Sequence, residues 1–348
     1  MAAGATNFDV YVNGEHVPDD HFVSFVVDRD VNQPDMCSVV LSNQSSFYTS
    51  KVKIAQSMKI DIGKEKTTIW QGEIVGIEPQ FKGGGKTTVL LRGMNKLHQL
   101  IRRRKSLTFS DKSDKEILQA VLSGMSLDFK HQKAESIKYK NVYQHNQSDL
   151  EFLRTRAGRI GAHVWCVDQK VMVKFPDFQE DSGIKLSVDP SSDGIGLTGF
   201  MPRMNSATVV KKVTVNGWNP ETKELITAVA EASGSKLGST NASSGAGDHG
   251  KEESFTVDHP IWSKEEAQVL ADARLMESSL NYIVGEAETK GSGKFDLGQV
   301  ITVDVSAQGK KDPFSGKYYV MGITHRHSAQ SKDGFVTVLR LARDAQDA

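Results

Sequence analysis

Apolar and polar positions alternate with a period of two through most of the first hundred residues. In FDVYV, Phe8, Val10 and Val12 fall on one face, and Asn13-Gly14 follows as a hairpin signal. Val23, Phe25 and Val27 alternate in the next segment, and Met58, Ile60 and Ile62 do so again. IWQGEIVGIEPQF and TTVLLRG then flank Gly83-Gly84-Gly85, a run that takes positive φ in a hairpin at no steric cost. The pattern predicts strands joined by tight turns, one small antiparallel barrel or sandwich over residues 5 to 100. We assign residues 1–104 to this first barrel.

The period changes after residue 110. Ser113 to Glu116 forms an S-x-x-E capping box, and Ile117, Leu118, Val121 and Leu122 follow at helical spacing before Gly124. The same order recurs in SDLEFLRTRAGRIG. There Ser148 and Glu151 make the box, Leu150, Leu153, Ala157 and Ile160 the stripe, and Gly161 the stop. Short strands, HVWCV and KVMVKF, come after the second helix. Residues 105–185 are therefore expected to form a small α+β domain inserted between β segments.

Strand alternation returns in SATVVKKVTVNGW (206 to 218), with Val209, Val213 and Val215 apolar and a turn expected at Asn216-Gly217. This segment belongs to a second β domain, over 186–348. From 232 to 252, five Gly and five Ser among 21 residues leave too little apolar surface to order the chain, so a flexible loop is expected. A third box, Ser263 to Glu266, opens a helix over 263–279. FDLGQVITVDV, KYYVMGITHRHS and FVTVLRLA give three further strands. The fold class is mainly β with an α+β insertion.

Composition narrows the function. Lys plus Arg and Asp plus Glu are both 43, so no global positive field exists to hold a phosphate backbone, and no nucleic-acid specificity is expected. Cys37 and Cys166 are the only cysteines, too few for a disulfide framework. The first residues carry neither a basic start nor an apolar core, and no apolar run reaches the ~20 residues that span a bilayer. Synthesis in the cytoplasm without a signal peptide or membrane anchor is the expectation.

Candidate chemistry is sparse. G-x-S-x-G, the Walker loop, H-E-x-x-H and C-x-x-C are all absent. His325 and His327 are two apart on an expected strand and share a face; they could share a metal, but with no carboxylate or cysteine nearby in sequence the pair reads as two polar residues on a solvent face. Cys166, after Trp165 in an apolar strand, reads as a buried thiol. GGGK at 83 to 86 lacks the helix and hydroxyl of a phosphate cradle. The one basic run, Arg102, Arg103, Arg104 and Lys105, is the candidate interface or lumen patch. No catalytic, cofactor-binding or metal site is assigned, and the chain is not expected to be an enzyme.

The middle segment carries a resemblance. RGMNKLHQLIRRRKSLTFSDKSDKEILQAVLSG (92 to 124) and NVYQHNQSDLEFLRTRAGRIGAHVW (141 to 165) resemble the hub proteins of contractile tails. The matching residues are Phe109, Ile117, Leu118, Val121, Leu122 and Gly124, then Gln144, Ser148, Asp149, Phe152, Leu153, Ala157 and Gly161. That family includes the phage late control D protein, the N-terminal region of type VI secretion VgrG and the hubs of contractile injection systems. WQGEIVGIEPQF, VTVNGWNP and KYYVMGITHRHS fit its barrel strands.

The resemblance implies two tail-tube-like barrels in one chain plus the small α/β domain. It implies a homotrimer whose six barrels adapt a sixfold tail tube to a threefold spike in the baseplate of a virion or injection particle. Expected partners are further copies of the chain, a tail tube or tube-initiator protein, other baseplate components and a spike. Because the chain ends at LRLARDAQDA, that spike is expected to be a separate polypeptide. The alternatives are a tail-associated cell-wall hydrolase and a carbohydrate-binding β protein.

Overall fold

The computed structural model describes residues 8–82, 87–122, 124–178, 181–189, 194–247, 251–257, 259–306, 312–329 and 334–347. The expected glycine turn at 83 to 85 lies outside them.

Six strands form the first barrel: β1 (Phe8–Val12), β2 (Phe22–Asp30), β3 (Met36–Ser42), β4 (Ser57–Ile62), β5 (Thr67–Gln80) and β6 (Thr88–Met94). They lie in the order β1-β4-β5-β6-β3-β2, and every pair is antiparallel. Alternation drives this, because Val10, Val27, Val39, Met58, Ile60, Ile74 and Leu91 all point into one core. Asn13 and Gly14 both have positive φ, the geometry that the tight turn after β1 demands.

The second barrel uses β7 (Asp181–Ser187), β8 (Ile195–Met204), β9 (Ile283–Lys290), β10 (Val300–Asp304), β11 (Gly316–Ser328) and β12 (Phe335–Arg343). Their order is β7-β10-β11-β12-β9-β8, and a parallel pairing of β7 with β8 closes the ring into a six-stranded barrel. Its core holds Leu186, Ile283, Ala287, Ile301, Val303, Tyr318, Val320, Ile323, Leu339 and Leu341. The molecule is thus mainly β.

Between β6 and β7 sits the α+β insertion. Helices Asp114–Val121 and Asp149–Arg159 each start on a complete capping box, Ser113 with Glu116 and Ser148 with Glu151. Their apolar stripes, among them Ile117, Leu118, Val121, Phe152, Leu153 and Ala157, enter one core with strands Ser126–Lys130, His163–Val167 and Lys170–Lys174.

Five placements differ from the sequence reading. The second barrel starts at Asp181, inside the segment assigned to the insertion, because the short strand before Ser187 pairs with β10. The strand expected at 206 to 218 is not a barrel strand. Val210–Asn219 pairs instead with Glu224–Glu231 and Lys251–Thr256 in a separate sheet, covered by helix Lys264–Leu280.

No turn occurs at Asn216-Gly217 either. The strand runs on through both residues, and Gly217 is small because a Cβ there would lie 2.3 Å from Ile261 Cγ1. In the third capping box Ser263 accepts from the Glu266 N–H at 3.1 Å, but the Glu266 carboxylate turns to the Trp262 N–H and to Arg159.

The Gly/Ser-rich stretch expected as a flexible loop is described from 232 to 247 and again from 251. Its first part lies on the second barrel, with Leu237 and Ala242 buried and Thr240–Asn241 paired with Ala345–Gln346. The anchor is Arg343, fully buried, which donates to the carbonyl oxygens of Leu237 and Ser315. Composition fails to predict this because the ordering energy comes from a side chain 106 residues away.

Candidate functional site

Strand β11 belongs to both barrels. From Gly316 to Tyr319 one of its edges pairs with β10, and from Gly322 to Ser328 that same edge pairs with β2 of the first barrel. The ladder runs from Gly322 opposite Asp30 to Ser328 opposite Ser24. Its polar face adds an ion pair between Arg340 and Asp30, and Thr324 Oγ1 donates to Asp28 Oδ1 at 2.8 Å. On the apolar face His327 packs against Phe8, Phe22 and Phe25, with centroids 4.6, 5.7 and 5.9 Å apart. These rings fill the seam between β1 and β2, which no pairing closes among the described residues.

The two barrels repeat each other down to their irregularities. β5 slips against β6 between Ile74 and Gly76, leaving Gly76 opposite Arg92. β11 slips against β12 between Val320 and Gly322, leaving Gly322 opposite Arg340. β2 slips against β3 between Phe22 and Ser24, and β8 against β9 between Leu197 and Gly199. Bulges fix register, so their coincidence aligns Gly76 with Gly322, Arg92 with Arg340, and Phe25 with Phe200.

The turn before the fourth strand repeats as well. Ala55 (φ 70) donates to the Ile74 carbonyl at 2.8 Å, and Gly298 (φ 79) donates to that of Val320 at 3.0 Å. Two features depart: β1 runs antiparallel to β4 but β7 runs parallel to β10, and β4 slips against β5 between Ile60 and Asp61 where β10 meets β11 without a shift.

Two strand edges are left over by this repeat. Pairing of β5 with β4 ends at Ser57 opposite Glu73, so among the described residues Gly76–Gln80 has no strand on that side. β8 pairs with β7 at Ile195 and Gly196, and among the described residues the rest of β8 has no strand on that side either. Near these edges stand Phe81 and Met201, each 70% exposed, the most exposed of the large apolar side chains.

The basic run is largely committed within the chain. Lys105 Nζ is 2.6 Å from Asp149, and Arg104 pairs with Glu151 at 3.1 Å, both across the start of helix Asp149–Arg159. Arg102 lies 2.9 Å from His98 Nε2. Arg103 is exposed, with no ion pair among the described residues. The structure does not bring all four onto one shared partner.

The histidine pair does not converge on a metal position. His325 is buried with Nδ1 3.0 Å from Thr337 Oγ1, and burial, helped by the Arg29 charge, pushes its pKa down to about 3. His327 stands in the aromatic seam. Among the described residues no group of three or more His, Cys, Asp or Glu is placed to hold a metal ion. The Cys166 thiol is buried and pushed up to about 12, so it is no nucleophile at neutral pH. Sequence reasoning missed Asp30, Arg340 and the two edges. The signal was present in the paired fragments VGI with LLR (75–77, 90–92) and MGI with VLR (321–323, 338–340).

A family model described as the Alg8 N-terminal domain matches residues 2–329. None of the curated proteins searched matches the sequence. Among solved structures, a tail protein from Neisseria meningitidis MC58 is 14% identical with a TM-score of 0.73, covering 98% of this chain and 97% of its own. The 43 kDa tail protein of prophage MuSo2 from Shewanella oneidensis is 12% identical with a TM-score of 0.73, covering 99% and 100%. The E. coli c3393 protein, a component of the type VI secretion system, is 11% identical with a TM-score of 0.62, covering 95% and 76%. At these identities the likeness is one of fold.

Proposed function

This chain belongs to the Alg8 N-terminal domain family, and from that premise we propose that it is the central hub of a contractile tail or injection-system baseplate. It acts as a structural part rather than an enzyme. Three copies supply six barrels in a ring, which adapts a sixfold tail tube on one side to a threefold spike on the other. Its partners are further copies of itself, the tube or a tube-initiator protein, neighbouring baseplate components and the spike, and its place of action is the virion or injection particle.

One observation carries this reading. Two barrels of one strand order, sharing two bulges, are joined edge to edge within a single chain by β11 and β2. A polypeptide built so presents a pair of near-equivalent units. Three such pairs approximate sixfold symmetry while leaving true threefold positions for the parts that differ, here the α+β insertion between the barrels and a second insertion, the sheet and helix that lie between β8 and β9. Folds resembling tail proteins support the same placement.

The test is the mass of the assembled protein by light scattering, alone and with the tube and spike proteins. Three times the monomer's 38.2 kDa is expected. A chain that stays monomeric with both partners present, or occupies its particle as a single copy, overturns the proposal.

A further inference from the structure

We infer that strand Glu224–Glu231 is a docking edge, and that it takes a basic-ended, extended segment of another protein as a fourth strand of its sheet. The strand lies outside both barrels, at one side of the sheet that helix Lys264–Leu280 covers, and among the described residues no strand pairs with its far side. Ala232 donates to the Lys211 carbonyl at 3.1 Å, toward the sheet. Successive residues turn their backbone groups alternately to either side, so Leu225, Thr227, Val229 and Glu231 turn theirs outward. Consistently, the Gln268 side chain reaches the Val229 carbonyl, donating to it at 2.9 Å. A carbonyl oxygen has two lone pairs, so this one still accepts from an added strand.

The edge lacks the usual protection. Natural sheets blunt a free edge with proline, lysine or a bulge. β5 and β8 carry Pro79 and Pro202 along theirs. Glu224–Glu231 reads ELITAVAE, without proline, glycine or lysine, and pairs with Val210–Asn219 through eight rungs without a slip. On the face away from the helix Leu225 is 65% exposed and Val229 39%, and Trp218, opposite Leu225, is 52% exposed. Ala228 and Ala230, on the other face, are buried in the core shared with the helix. A regular edge with bare apolar side chains is an aggregation site unless something covers it.

Charge selects the occupant. Glu224 and Glu231 bracket the edge, both exposed, and neither has an ion pair among the described residues. The two lie about 23 Å apart along the strand. An eight-residue strand with a lysine or arginine at each end sets a cation beside each carboxylate. Two copies of this edge, paired in either orientation, would bring glutamate to glutamate, which opposes association. The fitting partner is therefore a basic-ended segment of another protein. Main-chain hydrogen bonds supply its affinity, and the side chains it lays beside Leu225 and Val229 its selectivity.

The experiment titrates the full chain into a fluorescently labelled peptide, Lys-Thr-Val-Thr-Val-Thr-Val-Lys, and reads anisotropy. Paired antiparallel, the first lysine falls opposite Glu231, the valines opposite Val229, Thr227 and Leu225, and the last lysine opposite Glu224. Saturable binding is expected, at least tenfold tighter than that of the same peptide with glutamate at both ends. Glu224→Lys with Glu231→Lys, at two exposed positions, should reverse the preference. Thr227→Pro removes one outward donor and leaves the rungs to Val210–Asn219 in place, so it should weaken binding at least tenfold. No binding, or equal binding of the two peptides, overturns the proposal. Self-association of the chain that Thr227→Pro abolishes would make a second copy the occupant, and overturns it as well.

Discussion

Gln56 and Gln299 hold the same position in the two barrels. Each side-chain oxygen accepts from the backbone N–H three residues earlier, at 2.9 Å from Lys53 and 3.0 Å from Asp296. Each backbone carbonyl then accepts from the fifth strand of its own barrel, from the N–H of Ile74 and of Val320, both at 2.9 Å. The glutamine stiffens the turn that ends the pairing of the fourth strand with the fifth. In the second barrel, the edge of β11 beyond that pairing is the one that β2 of the first barrel occupies.

Removing either glutamine side chain leaves one turn donor without its acceptor. Gln56→Ala and Gln299→Ala are each expected to lower stability by about 1 kcal/mol. The sites share no partner, so the double variant should lose the sum to within about 0.5 kcal/mol. Urea denaturation with an unchanged slope checks this. A shift for one glutamine only would mean that the second turn is held by other contacts.

A second relationship joins the two insertions. Arg156 Nε donates to Asp114 Oδ1 at 2.7 Å, the Tyr139 hydroxyl donates to Oδ2 at 2.7 Å, and the guanidinium lies 4.4 Å from the Tyr139 ring centre. One turn later, Arg159 pairs with Glu266 of the second insertion. Asp114→Ala would leave Arg156 buried without its counter-ion and should cost about 3–5 kcal/mol. Replacing both, as Asp114→Leu with Arg156→Met, should cost less than the single change. Thermal melts of the two variants decide it, and a double variant worse than the single one would count against a desolvation-dominated pair.

How far these features could be read from the sequence depends on their range. Capping boxes at Ser113 and Ser148, the turn at Asn13-Gly14 and the alternating barrel strands are local, and local physics states them. The barrel repeat is non-local, and sequence identity survives at scattered positions, among them Gly76 and Gly322, Arg92 and Arg340, Gln56 and Gln299. Likewise Arg104 and Lys105 look like a free basic patch until the fold brings Asp149 and Glu151 against them. His325 and His327 share a strand face as their spacing says, but what lies beneath that face is set by Thr337 and by three phenylalanines distant in the chain.

Arg343 tests whether the Gly/Ser-rich segment is held by one residue. Its guanidinium is fully buried, bonds the carbonyls of Leu237 and Ser315, pairs with Asp347 at 3.1 Å and stands 5.3 Å from the Tyr318 ring centre. Lysine cannot reproduce that fork, so Arg343→Lys and Arg343→Met should both release the segment. Limited proteolysis is expected to cut between 232 and 247 in the variants at least tenfold faster than in the parent. Equal cutting rates would show that the pairing of Thr240–Asn241 with Ala345–Gln346 is sufficient by itself.

Two buried histidines give the stability a pH slope. Burial pushes His163 down to about 4 and His325 down to about 3, from the ordinary 6.5. Below 6.5 the unfolded chain binds protons that the folded chain refuses, so stability falls as pH drops toward those values. Asp35 works the other way. Burial raises it from 3.8 to about 6, so its contribution is full below 3.8 and is lost as pH rises through 6. Between pH 6.5 and 4.5 each histidine should remove about 2 kcal/mol and Asp35 should return a similar amount. The parent protein is therefore expected to weaken on acidification. Asp35→Asn should steepen the loss, and His163→Gln combined with His325→Gln should abolish or reverse it. Denaturation midpoints across that range decide the matter, and a double glutamine variant with the parent's slope would show that other groups carry it.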